Sequence, residues 1–363
     1  MSFVTSYARM VPPPSYMQLP GMGLDISDSS LKYVQLNPNY RHPTDFTVGQ
    51  WGDVDIPAGA VEKGQISDEK KLSSVLKSVY EQTGVQYVHV SLPEERAYIF
   101  ETEVKRGTSQ KEIVSQLEFR LEEHVPISPR DAFFDYDIVG ETERSLHVSV
   151  VVYARDTILA YHRACALAGL TPLSFEVEAQ AIARATLPRT DEDTHMVIDF
   201  GKSRTGIGII HLGNLLYTST IEIGGVDLSR AMRQRLGDSI AESELTRIKN
   251  TEGLLPRADD TGVHEALLSI VSVIKDELAT RLQYWHTRGN NRAKRRIKSI
   301  ILSGGSANLK GVNEYLTQTL GIPTYRADVW QNVFSTQTHV PPIEYRFALG
   351  YGTAIGLALK NTV

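Results

Sequence analysis

Cysteine is nearly absent: the chain of 363 residues has one, Cys165. A single thiol makes neither an internal disulfide nor a thiolate metal cluster, which fits a reducing compartment. Its place in an Ala-rich helical run marks it as a buried structural thiol rather than a nucleophile. No run approaches the ~20 apolar residues that a membrane-spanning helix requires. The start, MSFVTSYARMVPPPSYMQLPG, lacks the charged-then-apolar build of a secretory signal, so the chain is expected in the cytosol. Charge of one sign is not in large excess: 38 Lys+Arg against 43 Asp+Glu leave a formal net charge of −5, which excludes a generic polyanion binder. The ten histidines show no metal-ligand spacing, and no Ser/His/Asp grouping is readable. What is present, 41% hydrophobic and 22% charged residues, is an ordinary globular composition, long enough for two cores.

Residues 1–20 carry Pro12, Pro13, Pro14 and Pro20 without apolar periodicity and read as a disordered tail. From Gly21 the segment MGLDISDSSLKYVQL alternates apolar and polar residues around a small-residue turn, the pattern of a hairpin. A helix is expected over about 68–83, closed by Gly84, then a strand GVQYVHVSL. AYIFETEV reads as a strand, Ser109-x-x-Glu112 as a capping box opening a helix to about His124, and HVSVVVYA as a strand before a helix at about 155–168. Strands and helices alternate, so the class is α/β. A second strand-turn-strand unit, HMVIDFGKSRTGIGIIHLGNLLYTSTI, follows the polar residues 191–195. Helices are then expected at about 225–249 and 262–287, joined through TEGLLPRADDTG. KSIILSGGSANLKGVNEYLTQTLGI reads as strand, glycine turn and helix, and RFALGYGTAIGLALK as one apolar-faced helix.

Aligned on Asp25 and Asp199, LDISDSSLKYV and IDFGKSRTGIG both place an aspartate at a strand end before a turn into a second strand. Turns built from Ser27, Ser29 and Ser30, or from Gly201, Ser203 and Thr205, offer backbone N–H groups and hydroxyls to phosphate oxygens, because small side chains let the backbone come close. An aspartate there repels phosphate unless Mg²⁺ or its waters stand between. Lys32 adds a positive charge for a terminal phosphate. Taken singly, such an aspartate is most often an ordinary turn former and such a lysine a solvated strand residue; it is the repetition that points to nucleotide. Gly304, Gly305 and Ser306 sit between an apolar run and a helix, where glycines permit approach of a flat base or ribose. The run RAKRRIK at 292–298 could meet anionic lipid or form a solvated junction; without aromatic interleaving it makes no case for nucleic acid.

These three pieces in this order resemble the actin-like ATPase superfamily. Within it, SLPEERAYIFETEV, FRLEEHVPISPRDAFFDYDIV, YARDTILAYHRACALAGLTPLSFEVEAQAIARA and the closing RFALGYGTAIGLA resemble the PilM family of type IV pilus assembly proteins, relatives of the cell-division protein FtsA. The resemblance implies an actin-like ATPase fold with two lobes around a nucleotide cleft. The first lobe would span 21–190 with an inserted PilM/FtsA-type interaction subdomain at about 93–170, the second 191–340, and a C-terminal helix over 341–363 would return to the first. It implies ATP and Mg²⁺ as cofactors, with Asp25 and Asp199 near the metal on opposite walls. Ser27, Ser29 and Lys32, and from the other lobe Gly201, Ser203 and Thr205, would face the phosphates, and Gly304, Gly305 and Ser306 the adenosine. In ESELTRIKN, Lys249 fits the family's Ala-Glu-x-x-Lys helix near ribose and base, whereas Thr246 takes the glutamate position. Glu178 falls where relatives place a residue that orients an attacking water, and Ser27 stands where glycine is commoner.

The resemblance further implies a cytoplasmic scaffold, peripheral to the inner face of the cytoplasmic membrane, that binds the short N-terminal peptide of a PilN-like inner-membrane protein. Pilus motor ATPases and further copies of the chain are additional candidate partners, nucleic acid is not, and membrane contact is indirect. FtsA ends in a basic amphipathic anchor, which Lys360-Asn-Thr-Val does not supply. With Glu178 alone to position water, at most slow ATPase activity is expected. A sugar-type kinase of the same superfamily and a filament-forming relative remain as alternatives.

Overall fold

A computed structural model describes residues 21–38, 45–255, 262–287, 295–337 and 339–362. The expected tail, part of the TEGLLPRADDTG connection and residues 292–294 of the basic run lie outside the described residues. The chain forms two compact units, the first comprising Met1–Arg189, Val329–Pro342 and Thr353–Val363, the second Thr190–Asp328 and Ile343–Gly352.

The first unit opens with β1 (Met22–Ile26), β2 (Ser30–Pro38) and β3 (Phe46–Asp55), followed by the short pair β4 (Val61–Glu62) and β5 (Gln65–Ile66). Helix α1 (Glu69–Thr83) starts where the Asp68 carboxylate accepts from the backbone N–H groups of Lys70 and Lys71, and it stops at Gly84. Then come β6 (Tyr87–Leu92), β7 (Tyr98–Lys105), α2 (Gln110–His124), β8 (Ala132–Glu141), β9 (Ser145–Ala154), α3 (Arg155–Leu167), β10 (Thr171–Val177) and α4 (Glu178–Thr186). The main sheet runs β10-β6-β1-β2-β3, parallel across β10, β6 and β1 and antiparallel from β1 to β3. A separate three-stranded sheet, β7-β9-β8, is antiparallel throughout. It packs α2, whose Ser109–Glu112 capping box forms, over a core of its own that includes Phe100, Ile113, Leu117, Leu121, Val148 and Val150. Helix α3 instead joins the main body: Arg163 pairs with Glu69 of α1 at 2.6 Å, and the Tyr161 hydroxyl donates to the Gly64 carbonyl at 3.1 Å. Cys165 on α3 is fully buried, and that burial pushes its thiol pKa up to about 12, which leaves it unreactive.

The second unit has β11 (Thr194–Phe200), β12 (Thr205–His211) and β13 (Asn214–Ile221), then α5 (Gly225–Leu236), α6 (Glu242–Thr251), α7 (Val263–Thr287), β14 (Ile297–Ser303), α8 (Val312–Leu320), β15 (Thr324–Arg326) and the short α9 (Tyr345–Ala348). Its sheet order is β13-β12-β11-β14-β15, antiparallel from β13 to β11 and parallel onwards to β15. Strand for strand this repeats the order and directions of the first unit's main sheet, so the likeness of the two aspartate hairpins extends to the topology around them.

Two expected helices are interrupted. The stretch expected as one helix over 225–249 is two, because Gly237 at φ 96° closes α5 and 238–241 lie outside either helix. The closing helix is a series of short turns: α9, a 3₁₀ turn, then α10 (Gly352–Ala358) and a further 3₁₀ turn. The Leu349 carbonyl accepts from the Gly304 N–H at 2.9 Å and the Ser303 hydroxyl at 3.1 Å, bonds that draw it into the tertiary structure at the point where the helix changes.

In the first unit α10 meets α4 at backbone distance. A Cβ on Gly356 would stand 1.7 Å from the Ala181 carbonyl oxygen. Beside it Arg184 grips both oxygens of the nearly buried Glu176 carboxylate, at 2.6 and 2.5 Å, and donates to the Gly356 carbonyl at 2.9 Å. Gly356→Ala is therefore expected to cost about 3 kcal/mol or more by overpacking. Gly84→Ala, at φ 70° with open space around it, should cost no more than ~1–2 kcal/mol in backbone strain. Denaturant unfolding of the two variants checks this ordering.

Candidate functional site

In the first unit the β1–β2 register sets Asp25 opposite Lys32. The turn between them is closed from within: Ser27 donates its N–H and its hydroxyl to the Ser30 carbonyl, both at 2.9 Å, and its Oγ accepts the Ser30 N–H at 3.1 Å. The Ser29 carbonyl accepts from Ile56 N at 3.0 Å, and Asp28 accepts the N–H groups of Lys63 and Gly64 at 3.1 and 3.0 Å. Ser91 on the neighbouring β6 donates to Asp25 Oδ1 at 3.3 Å while accepting Ile26 N at 3.0 Å, which fixes the carboxylate at the strand end. Lys32 Nζ donates to Ser30 Oγ at 2.8 Å and lies 3.7 Å from Asp53, so its charge is held beside the turn.

Glu178 is buried as the first residue of α4, after β10. Glu94, more deeply buried still, accepts from Ala179 N at 2.9 Å at the same helix start. Burial first, and then the charges of Glu94 and Glu178, raise the pKa of Tyr153 well above its ordinary value, so its hydroxyl stays protonated and donates to the Pro93 carbonyl at 3.1 Å.

In the second unit three segments converge at the carboxyl end of β11. Asp199 pairs in register with Gly206 on β12 and Ser303 on β14. Gly304 follows at φ 88°, and a Cβ there would stand 2.4 Å from Asp199 Oδ1 and 2.5 Å from the Phe200 carbonyl oxygen. Only glycine lets this turn pass so close. The Ser306 hydroxyl donates to the Gly201 carbonyl at 2.9 Å, which ties the glycine turn to the hairpin turn. The third segment is the start of α5: Gly225 N donates to Gly201 O at 3.1 Å and Val226 N to Lys202 O at 2.8 Å, and Gly224 and Gly225 have no room for side chains. Ser203 is exposed at the turn, Gly305 has open space where a Cβ would be, and the hydroxyl of the fully buried Thr205 donates to the Ile223 carbonyl at 2.8 Å.

Lys249 on α6 reaches α5, where its Nζ donates to Ser229 Oγ at 2.8 Å and lies 3.4 Å from Glu242. Thr246 is exposed on the same helix, and the acid beside Lys249 is Glu242, two turns earlier. Burial would raise the Glu242 pKa, but hydrogen bonds from Ser229 and Arg233 and the charges of Lys249 and Arg233 outweigh it and hold the carboxyl below its ordinary value. For Lys249 burial dominates and lowers the pKa despite Glu242. Sequence reasoning missed Ser91, Ser229, Glu242 and the Gly224–Gly225 pair. The last two left a trace: a Gly-Gly between an apolar strand and a helix, and an acid seven residues before a lysine, on one helix face.

A family model described as type IV pilus assembly protein PilM matches residues 23–362. The chain belongs to this PilM family. Among solved structures it is similar to the PilM-PilN type IV pilus biogenesis complex, with a TM-score of 0.75 and 18% identity over 95% of this chain and 99% of that one. It is also similar to MreB5 of Spiroplasma citri bound to ADP, with a TM-score of 0.54 and 14% identity over 88% and 94% of the two chains. These likenesses show the actin-like ATPase fold. The cell shape-determining protein MreB of Escherichia coli K12 is 25% identical over 182 residues, covering 40% of this chain. The chain spans about half the length of the curated relatives it matches, 49% of that MreB. Among the described residues no helix is long and apolar enough to cross a membrane.

Two measurements probe the second unit. Gly304→Ala should displace Asp199 or the glycine turn and lower the thermal midpoint by several degrees, whereas Gly305→Ala should leave it nearly unchanged. Because the folded pKa of Glu242 is depressed, its stabilising contribution is present above the ordinary carboxyl value of 4.5 and is lost as pH falls through the folded pKa. The stability gap between wild type and Glu242→Gln should therefore close as pH drops from 6 towards 3 in denaturant titrations.

Proposed function

We propose that the chain is a nucleotide-binding scaffold of a type IV pilus assembly machine that takes the cytoplasmic N-terminal peptide of a PilN-like inner-membrane protein. The observation that carries this reading is the match of the PilM family to nearly the whole described chain, which takes in the β7-β9-β8 insertion as well as the two hairpins. The insertion exposes apolar side chains suited to an apolar peptide, including Phe119 on α2 and Ile138 on β8. The chain meets the membrane through that partner.

ATP with Mg²⁺ is the cofactor we assign, and the donor set suits it. When bound, the ion supplies positive charge that screens carboxylate from phosphate. Asp25 in the first unit and Asp199 in the second are each suited to hold such an ion or its waters. Ser27, Ser29 and Lys32, and separately Gly201 and Ser203, would present small-residue turns and a cation to phosphate oxygens. Thr205 would hold its turn in place through its bond to Ile223. Gly304, Gly305 and Ser306 would border the adenosine, with Lys249 and Glu242 as the polar pair for a sugar hydroxyl. Glu178 is the carboxylate we assign to orienting water, and its burial suits slow turnover better than rapid proton transfer.

Fluorescent ATP-analogue titration with Mg²⁺ should show saturable binding, weakened about tenfold or more by Asp25→Ala and by Asp199→Ala, the effect expected for losing one charged contact. Unchanged affinity in both variants would refute the site assignment. Separately, a labelled N-terminal peptide of a PilN-like protein should bind the chain in fluorescence anisotropy, and no binding with or without nucleotide would refute the scaffold reading.

A further inference from the structure

At the other end of β11 from Asp199, about 13 Å along the strand at ~3.3 Å per residue, lies a second group of metal-ligating side chains. One ligand atom each of Asp191, Asp193 and His195 lie within 4.8 Å of one another. His195 sets this group apart from an ordinary acidic loop. Its ring is buried in the sheet, with Nδ1 2.8 Å from the hydroxyl of the buried Ser299 on β14 and Nε2 3.1 Å from Asp191 Oδ1. The strand pairing and the Ser299 contact set the ring's orientation and aim Nε2 at the carboxylates, as a hydrogen-bonded outer partner does for metal-bound imidazoles. Asp191 is steadied in turn by the backbone N–H of Asp193 at 2.8 Å. Burial would raise its pKa, yet that hydrogen bond and the one from His195 leave it lowered, so the carboxylate is ionised at neutral pH. Facing the two carboxylates, Lys298 pairs with Asp193 through a side chain that is 65% exposed and free to swing into solvent.

We propose that Asp191, Asp193 and His195 form a binding site for a divalent transition ion of the Zn²⁺ class. One imidazole nitrogen with two carboxylate oxygens is a borderline donor set that favours Zn²⁺, Ni²⁺ or Co²⁺ over the all-oxygen coordination preferred by Mg²⁺, and water completes the shell. Binding needs the Nε2 lone pair, so the ring proton moves to Nδ1 and is donated to Ser299 Oγ. The ion displaces the Lys298 ammonium from Asp193. Bound there, it clamps the acidic segment onto β11 near the start of the second unit and is separate from the Mg²⁺ assigned to Asp25 and Asp199.

The test is titration of metal-stripped, tag-free full-length chain with Zn²⁺ by calorimetry and with Co²⁺ by visible absorption, with Mg²⁺ in excess throughout. The wild type should bind one equivalent that His195→Ala lacks, and Asp193→Asn, an exposed and structurally mild change, should weaken binding about tenfold or more. Lys298→Ala should bind several-fold more tightly, because the competing cation is gone. Equal stoichiometry in wild type and both ligand variants, or no gain in affinity for Lys298→Ala, would overturn the proposal.

Discussion

The constraint on which the second unit depends is how near three backbone segments come at the end of β11. Asp199, the turn after β14 and the start of α5 meet there around the Ser306 hydroxyl, because Gly304, Gly224 and Gly225 add no side chain of their own at the contacts. The resulting hydrogen bonds, from Ser306 and Gly225 to the Gly201 carbonyl and from Val226 to the Lys202 carbonyl, are short-range and mutually dependent. A hairpin turn held from two sides can keep its outward N–H groups in place without a ligand, and such preorganisation lowers the ordering cost of binding.

The first unit reaches a comparable end by other means. Its hairpin turn is closed by the Ser27 and Ser30 side chains rather than by glycines, and Asp25 is steadied by Ser91 from the adjacent parallel strand. The two main sheets share strand order and direction, yet the residues beside the two aspartates differ: Lys32 across from Asp25, Gly206 across from Asp199. Directly across from its aspartate, the first hairpin therefore carries charge and the second carries space.

Much of this was legible before any coordinates. Alternation around small-residue turns marked both hairpins, and Ser109 with Glu112 marked the start of α2, because these are local signals in a few consecutive residues. The partners of the key side chains were not legible. Ser91 reaches Asp25 only through strand pairing, and Glu242 meets Lys249 and Ser229 only once α5 and α6 pack. The closing segment read as one helix because its apolar face is continuous, and the bonds of the Leu349 carbonyl to Ser303 and Gly304 belong to tertiary structure alone. His195 gives no metal-ligand spacing among the histidines, because the groups gathered beside it are aspartates just before its strand.

The three-stranded insertion also has a consequence for stability. Its core residues all come from Phe100 to Val152. A segment whose apolar contacts are largely internal can open as a cooperative block while the parent sheet stays closed. Such a block can be remodelled or replaced with little penalty to the surrounding architecture, which leaves its surface free to vary while the main sheet beside it keeps its shape.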